Sequence, residues 1–164
     1  MTDDVKSIEL GNLLLRGLHH GYLDLMSEVR GVDGAMAAEV VAVTGWSVRD
    51  HVAHVGAWEA VELARTEGRP GLREHLNVVW EAAWRRRRAE SLGEALEAFI
   101  RVHQRLISVL TETPDAVLRR RWHPAYPDTL AANIARNTYR HYAEHLSLLR
   151  RAAGSPAPQH RRGS

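Results

Sequence analysis

The chain has 164 residues, 45% hydrophobic and 26% charged, with no cysteine, which excludes disulfides, cysteine-rich zinc sites, iron–sulfur clusters and a protein thiol nucleophile. Its formal charge of +2 divides into a net −6 over residues 1–82 and a net +8 over residues 83–164, and every basic side chain except Lys6 is an arginine, which permits an anionic partner without requiring one. The length fits one domain with a real core, and no apolar run approaches the roughly 20 residues of a membrane span, so a cytoplasmic protein with no membrane partner is expected.

Apolar residues recur three and four apart and sustained alternation is absent, which predicts an all-α fold. The first helix runs from about Val5 to Val29, with a stripe through Ile8, Leu14, Leu15, Leu18, Tyr22, Leu25 and Val29. A short helical turn or two is expected between Gly31 and Gly45. Ser47 with Asp50 three residues later has the capping-box spacing and opens a second helix, which Gly68, Arg69 and Pro70 stop after about Glu67. Leu72 to about Arg88 reads as an accessory helix. Ser91 with Glu94 forms a second capping box before a third helix, Leu92 to Leu110. Thr113-Pro114 starts a helix of about one turn, Trp122 to Pro127 is a loop, and Asp128 caps a fourth helix that reaches about Ala153. The expected organisation is a four-helix bundle over residues 1–153 and a disordered tail over 154–164. The connections 31–46 and 68–90 are longer than an up-and-down bundle needs, so at least one crossover is expected.

His141 and His145 are four apart on the last helix and share a face, close enough to bind one metal ion. At about 100° per residue they fall on the stripe of Leu130, Ile134, Leu148 and Ala152. Two imidazoles on an apolar stripe need partners for their nitrogens, which favours metal binding over ordinary core histidines. The same residues fit the H-x-x-E-H pattern of the inverted zincins, but that site needs a downstream acid and residues 146–164 contain none. A third ligand must then lie upstream. His54 shares a face with Ala57, Trp58 and Val61, whereas His51 sits about 60° round toward Glu62, so His54 is the better candidate. Three neutral histidines leave an open position on the metal, as catalytic sites do. Glu59, Asp50, Asn137 and Glu144 are candidates to orient the imidazoles, and the sequence does not rank them. Trp58, one turn from His54, is a candidate for the wall of a substrate pocket.

Trp46-Ser-Val-Arg-Asp50, His54 and Trp58-Glu59, followed some 80 residues later by Asn137-Thr-Tyr-Arg-His141-Tyr-Ala-Glu-His145, resemble the DinB-like superfamily, and within it the ClbS/DfsB-type four-helix bundle proteins. The likeness spans roughly residues 5–152. It implies a bundle with a crossover, often dimeric, and a divalent metal held by one histidine of the second helix and two of the last, which map onto His54, His141 and His145. Activities in that superfamily include thiol-dependent transferases and isomerases that use mycothiol or bacillithiol, and a colibactin-resistance hydrolase that opens an electrophilic cyclopropane.

The arginine runs Arg85–Arg88 and Arg119–Arg121 point round a helix rather than along one face, which fits solvated helix ends better than nucleic-acid contact. His19 and His20 are expected at the surface, and Trp80, Trp84 and Trp122 in the core. The functional expectation is a metal-dependent enzyme, a hydrolase or a thiol S-transferase. It would use zinc, nickel or iron to activate water or a low-molecular-weight thiol against an electrophilic small molecule, in detoxification or self-resistance. The alternative is a non-catalytic protein that sequesters a toxic metabolite or protects DNA. A homodimer is expected, because the second helix is apolar on opposite faces, with Val48, Val52 and Val55 on one and Val61 on the other.

Overall fold

The computed structural model describes residues 3–33, 37, 40, 41, 45–69, 91–124 and 127–153. Its elements are α1 (Asp3–Val29), β1 (Val40–Val41), β2 (Trp46–Ser47), α2 (Val48–Thr66), α3 (Leu92–Glu112), α4 (Asp115–Leu118), α5 (Leu130–Ala135), a π-turn over Arg136–Arg140, and α6 (His141–Ala153). The fold is all-α. Its four rods are α1, α2, α3 and the run of α5, π-turn and α6. The accessory helix expected at Leu72–Arg88, with Trp80, Trp84 and Arg85–Arg88, lies outside the described residues, as does the tail 154–164.

The rods form a ring in which α1 and α2 each pack against both α3 and the last rod, so α1 sits diagonally from α2 and α3 diagonally from α6. The chain therefore crosses the bundle twice, between α1 and α2 and again between α3 and α5. The long connection after α2 joins neighbours and is not a crossover.

Local chemistry explains most element boundaries. The Ser47 hydroxyl accepts the Asp50 amide at 3.2 Å and the Asp50 carboxylate accepts the Ser47 amide at 3.0 Å, and Ser91 and Glu94 repeat the arrangement at 3.2 and 2.7 Å. Each box satisfies two amides that the first helical turn leaves without partners. Thr129, not Asp128, caps α5, its hydroxyl accepting the Ala132 amide at 3.2 Å. A bridge to Arg121 holds Thr129 extended, and Arg136 takes the Asp128 carboxylate at 2.6 Å. In the stretch where a helical turn was expected before Gly45, Ala37 is helical, its amide donating to the Asp33 carbonyl at 2.8 Å, and Val40 and Val41 then pair antiparallel with Ser47 and Trp46. Gly45 supplies the positive φ of 70° in that hairpin, and the ladder fixes Trp46 at the mouth of α2.

Leu18, Phe99, Leu106, Leu118 and Ile134 are wholly buried at the centre, each worth about 1.5–3 kcal/mol in removed apolar surface. Two glycine contacts set how closely the rods approach. A Cβ on Gly56 would stand 3.3 Å from the Phe99 Cβ, where α2 meets α3; Gly17 and Gly21 of α1 receive Tyr139, whose Cβ would lie 2.9 Å from a Cβ added at Gly21. The π-turn carries Thr138 at φ −118°, ψ −108°, with its hydroxyl donating to the Ile134 carbonyl at 2.6 Å. One extra residue per turn advances the register. The core stripe consequently passes from Ile134 through Thr138 to Tyr142, Leu146 and Leu149, while Leu148 is only half-buried. His141 and His145 stand beside this stripe, facing α2, rather than at its centre as a straight helix would place them.

Within the single chain Val52 and Val55 are fully buried, Val61 nearly so and Val48 half-buried. Gly21→Ala is expected to lower stability by about 1–3 kcal/mol through overpacking against Tyr139, despite the better helix propensity of alanine. Gly93→Ala, whose added Cβ meets nothing nearer than 3.8 Å, should instead gain up to about 1 kcal/mol. Urea unfolding of the two variants measures both signs.

Candidate metal centre

The second and last rods bring three imidazoles to one point. His54 Nε2 lies 3.1 Å from His141 Nε2, and His145 Nε2 lies 3.0 Å from the same atom. One ring nitrogen from each of the three residues falls within 4.8 Å of the others. His54 and His145 are buried and His141 is half-buried. Tetrahedral ligands with metal–nitrogen bonds of about 2.0–2.1 Å stand about 3.3 Å apart; the two separations at His141 are close to this, and a small inward shift of the outer rings brings the 4.8 Å triad to that spacing. The donor chemistry agrees. A neutral imidazole has a single in-plane lone pair, so His141 Nε2 cannot accept well from both neighbours at once, whereas a cation between the rings uses a lone pair from each.

Burial lowers the basicity of all three rings. His54 is pushed down to about 3, first by desolvation and then by His141 and His51. His145 falls to about 2, again by desolvation first and then by His141, His54 and His51. His141 is lowered by burial, opposed by the Glu144 charge and the Asn137 carbonyl. The rings are therefore neutral at physiological pH, the state a ligand requires.

Two tryptophans wall the site. The Trp46 ring packs on three imidazoles, with centroids 5.5 Å from His51, 4.8 Å from His54 and 6.1 Å from His145. Trp58, half-buried, meets His141 edge-on at 6.3 Å.

Of the four residues expected to orient the imidazoles, Asn137 bears on a triad ring through its backbone carbonyl at His141, whereas the four side chains are engaged elsewhere or exposed. Asp50 is committed to the α2 cap. Glu59 is fully buried on another side of α2, 2.8 Å from His103 Nδ1, with Tyr22 stacked on the His103 ring at 4.1 Å. Asn137 donates to Glu62 at 2.6 Å, and Glu62 is also paired with Arg65. Glu144 is exposed. The ring that does reach the triad is His51, 1% exposed, whose Nδ1 lies 2.6 Å from His145 Nδ1. It sits one turn before His54, and an angular offset of about 60° leaves it within reach of the same partner helix. Trp46 was visible in the sequence only as part of a motif, because nothing there predicted the hairpin that aims it. His19 and His20 are exposed and pack edge-on against each other, away from the triad. Trp122 is half-buried beneath the Arg65 guanidinium, 4.3 Å from its ring centroid.

No curated protein matches this chain. Two solved structures share its fold. An uncharacterised protein from Escherichia coli UTI89 superposes with a TM-score of 0.73 at 17% identity, covering 87% of this chain and 92% of its own. The colibactin self-resistance protein ClbS, solved in complex with double-stranded DNA, gives 0.73 at 16% identity, with 90% and 97% covered. The profile of the DinB superfamily matches residues 24–149, from the second half of α1 nearly to the end of α6 and across every residue of the histidine site, and the chain belongs to that superfamily.

Proposed function

We propose that this protein is a metal-dependent enzyme acting on an electrophilic small molecule, as a hydrolase or as a transferase using a low-molecular-weight thiol, in detoxification or self-resistance. The observation that carries the reading is the convergence of three neutral imidazole nitrogens, from His54, His141 and His145, at one walled point. A divalent zinc, nickel or iron ion held there supplies a Lewis acid with a position open to a nucleophile. The chain's own residues do the rest. The three rings are the neutral donors, and Trp46 and Trp58 shield them and offer apolar surface to a substrate. The lack of cysteine means that any thiol is a cosubstrate. The fold shared with ClbS, a self-resistance protein, supports a resistance role.

The second reading, a binding module that shields DNA, draws on the basic second half and on the DNA complex of ClbS. Against it, Arg119, Arg136 and Arg150 are already paired with Asp115, Asp128 and Glu28. Duplex binding with a steep salt dependence would favour this second reading.

Protein purified without an affinity tag should hold near-stoichiometric metal, whereas His54→Ala, His141→Ala and His145→Ala should each lose it. All three variants should stay helical, because the Leu, Ile and Phe contacts carry most of the burial. Elemental analysis beside far-ultraviolet circular dichroism reads both, and full occupancy in all three variants would place the metal elsewhere.

Acid should destabilise the metal-free protein. The folded-state values of His54 and His145, about 3 and about 2, lie below their usual 6.5, so the unfolded chain takes up protons first. Their contribution is full above about pH 6.5 and is lost as pH falls toward 3, by up to about 1.4 kcal/mol per pH unit for each imidazole. Urea midpoints at pH 7.5, 6 and 5 follow it, and a flat profile contradicts the neutral buried state.

A further inference from the structure

We propose that His51 is a positioning residue of the metal centre, a hydrogen-bond acceptor that fixes the tautomer and ring plane of His145. The proposal rests on the reading of His54, His141 and His145 as metal ligands and assigns a role to a fourth imidazole outside that set.

The argument follows the two nitrogens of His145. Its Nε2 faces the triad, 3.0 Å from His141 Nε2, and its Nδ1 faces His51 Nδ1 at 2.6 Å. A neutral imidazole carries one N–H and one lone pair. If His145 offers its Nε2 lone pair to a cation, its proton sits on Nδ1, which then donates to His51 Nδ1. His51 must accept there and carry its own proton on Nε2. The opposite assignment, with His51 donating, puts the His145 proton on Nε2 and closes that lone pair to a metal. One short contact therefore decides whether the ligand atom is available.

His51 is suited to this role by its surroundings. It is 1% exposed, with the Trp46 ring 5.5 Å away, so bulk water does not compete for the Nδ1 contact. The ring centroids of His51 and His145 lie 4.9 Å apart at an interplanar angle of 70°, which limits rotation of His145 about its Cβ–Cγ bond. The Asp50 charge acts on His51, but the Asp50 carboxylate is held by the α2 cap. The acceptor behind His145 is thus a neutral ring where metal sites more often place a carboxylate or a backbone carbonyl, and it adds no negative charge to the centre.

The test uses the full-length metal-free protein titrated with cobalt(II), with Kd obtained by competition against a chromophoric chelator. His51→Leu keeps apolar volume but removes the acceptor, and it should bind cobalt about 10–100-fold more weakly. His51→Asn places an amide oxygen near the lost Nδ1 and should recover most of the affinity. In zinc-loaded wild type, nitrogen-edited NMR should show a protonated, hydrogen-bonded Nδ1 and a ligated Nε2 on His145, and the slowly exchanging Nδ1 proton should be lost in His51→Leu. A role limited to packing would lower the melting temperature without Asn rescue and without moving that proton. Should His51→Leu fail to fold by circular dichroism, His51→Ala, which also lacks an acceptor, replaces it. Wild-type affinity in the folded variant without an acceptor overturns the proposal while leaving the metal site standing. If wild type takes up neither cobalt nor zinc, the metal reading falls, and this role with it.

Discussion

A buried polar side chain costs about 1–3 kcal/mol when it lacks a partner, and α2 buries five: Asp50, His51, His54, Glu59 and Glu62. A helix enclosed on nearly every side cannot turn these groups to water, so each finds its partner on a neighbouring element. Asp50 closes the cap with Ser47. His51 and His54 reach His145 and His141 on α6, Glu59 reaches His103 on α3, and Glu62 reaches Asn137 in the π-turn. These contacts tie α2 to its neighbours at defined heights, which apolar packing alone specifies less sharply. The candidate site is part of that set, and differs from the rest in gathering three imidazoles at one point.

The contrast between the two buried histidine clusters shows why it stands apart. His103 has the Glu59 carboxylate at hydrogen-bond distance and Tyr22 stacked on its ring. Nearby, burial and the Glu59 charge push the Tyr142 phenol well above its usual range, so it stays protonated. That cluster contains both donors and an anion. His54, His141 and His145 face one another and His51, and burial drives His54 and His145 far from protonation. Three neutral donors that cannot satisfy each other in pairs could hold a cation at their centre.

The π-turn is what lets α6 serve the core and the site together. In an uninterrupted helix the face carrying Leu130 and Ile134 would continue through His141 and His145, setting both histidines into the middle of the core. The extra residue at Thr138 rotates α6 so that Tyr142, Leu146 and Leu149 take the core positions, and the histidines turn toward α2. Gly17 and Gly21 on α1 accept Tyr139 at the same level, so the wide turn is seated against a helix surface without Cβ atoms. Bulges of this kind recur beside functional sites because they re-aim side chains without breaking the helix.

Much of the fold is written in local sequence. The capping boxes at Ser47 and Ser91, the stop at Gly68 and the three- and four-residue apolar spacing are short-range signals, and the helices begin and end close to where those signals place them. The pairing of His141 with His145 is equally local, since a spacing of four fixes a shared face whatever the helix packs against. Tertiary structure decided what depends on contacts between distant segments. Which of His51 and His54 faces the triad with Nε2, and which stands behind it, follows from the height at which α2 lies against α6. The Glu59 and Asn137 side chains belong to other partners because His103 on α3 and Glu62 on α2 reach them. The Trp46 wall needs the ladder of Val40 and Val41, two residues whose strand character no period announces. The register of α6 turns on one inserted residue, and an angular count along the sequence has no means to see it, because the seat that receives Tyr139, at Gly17 and Gly21, lies on α1, more than a hundred residues away in the chain.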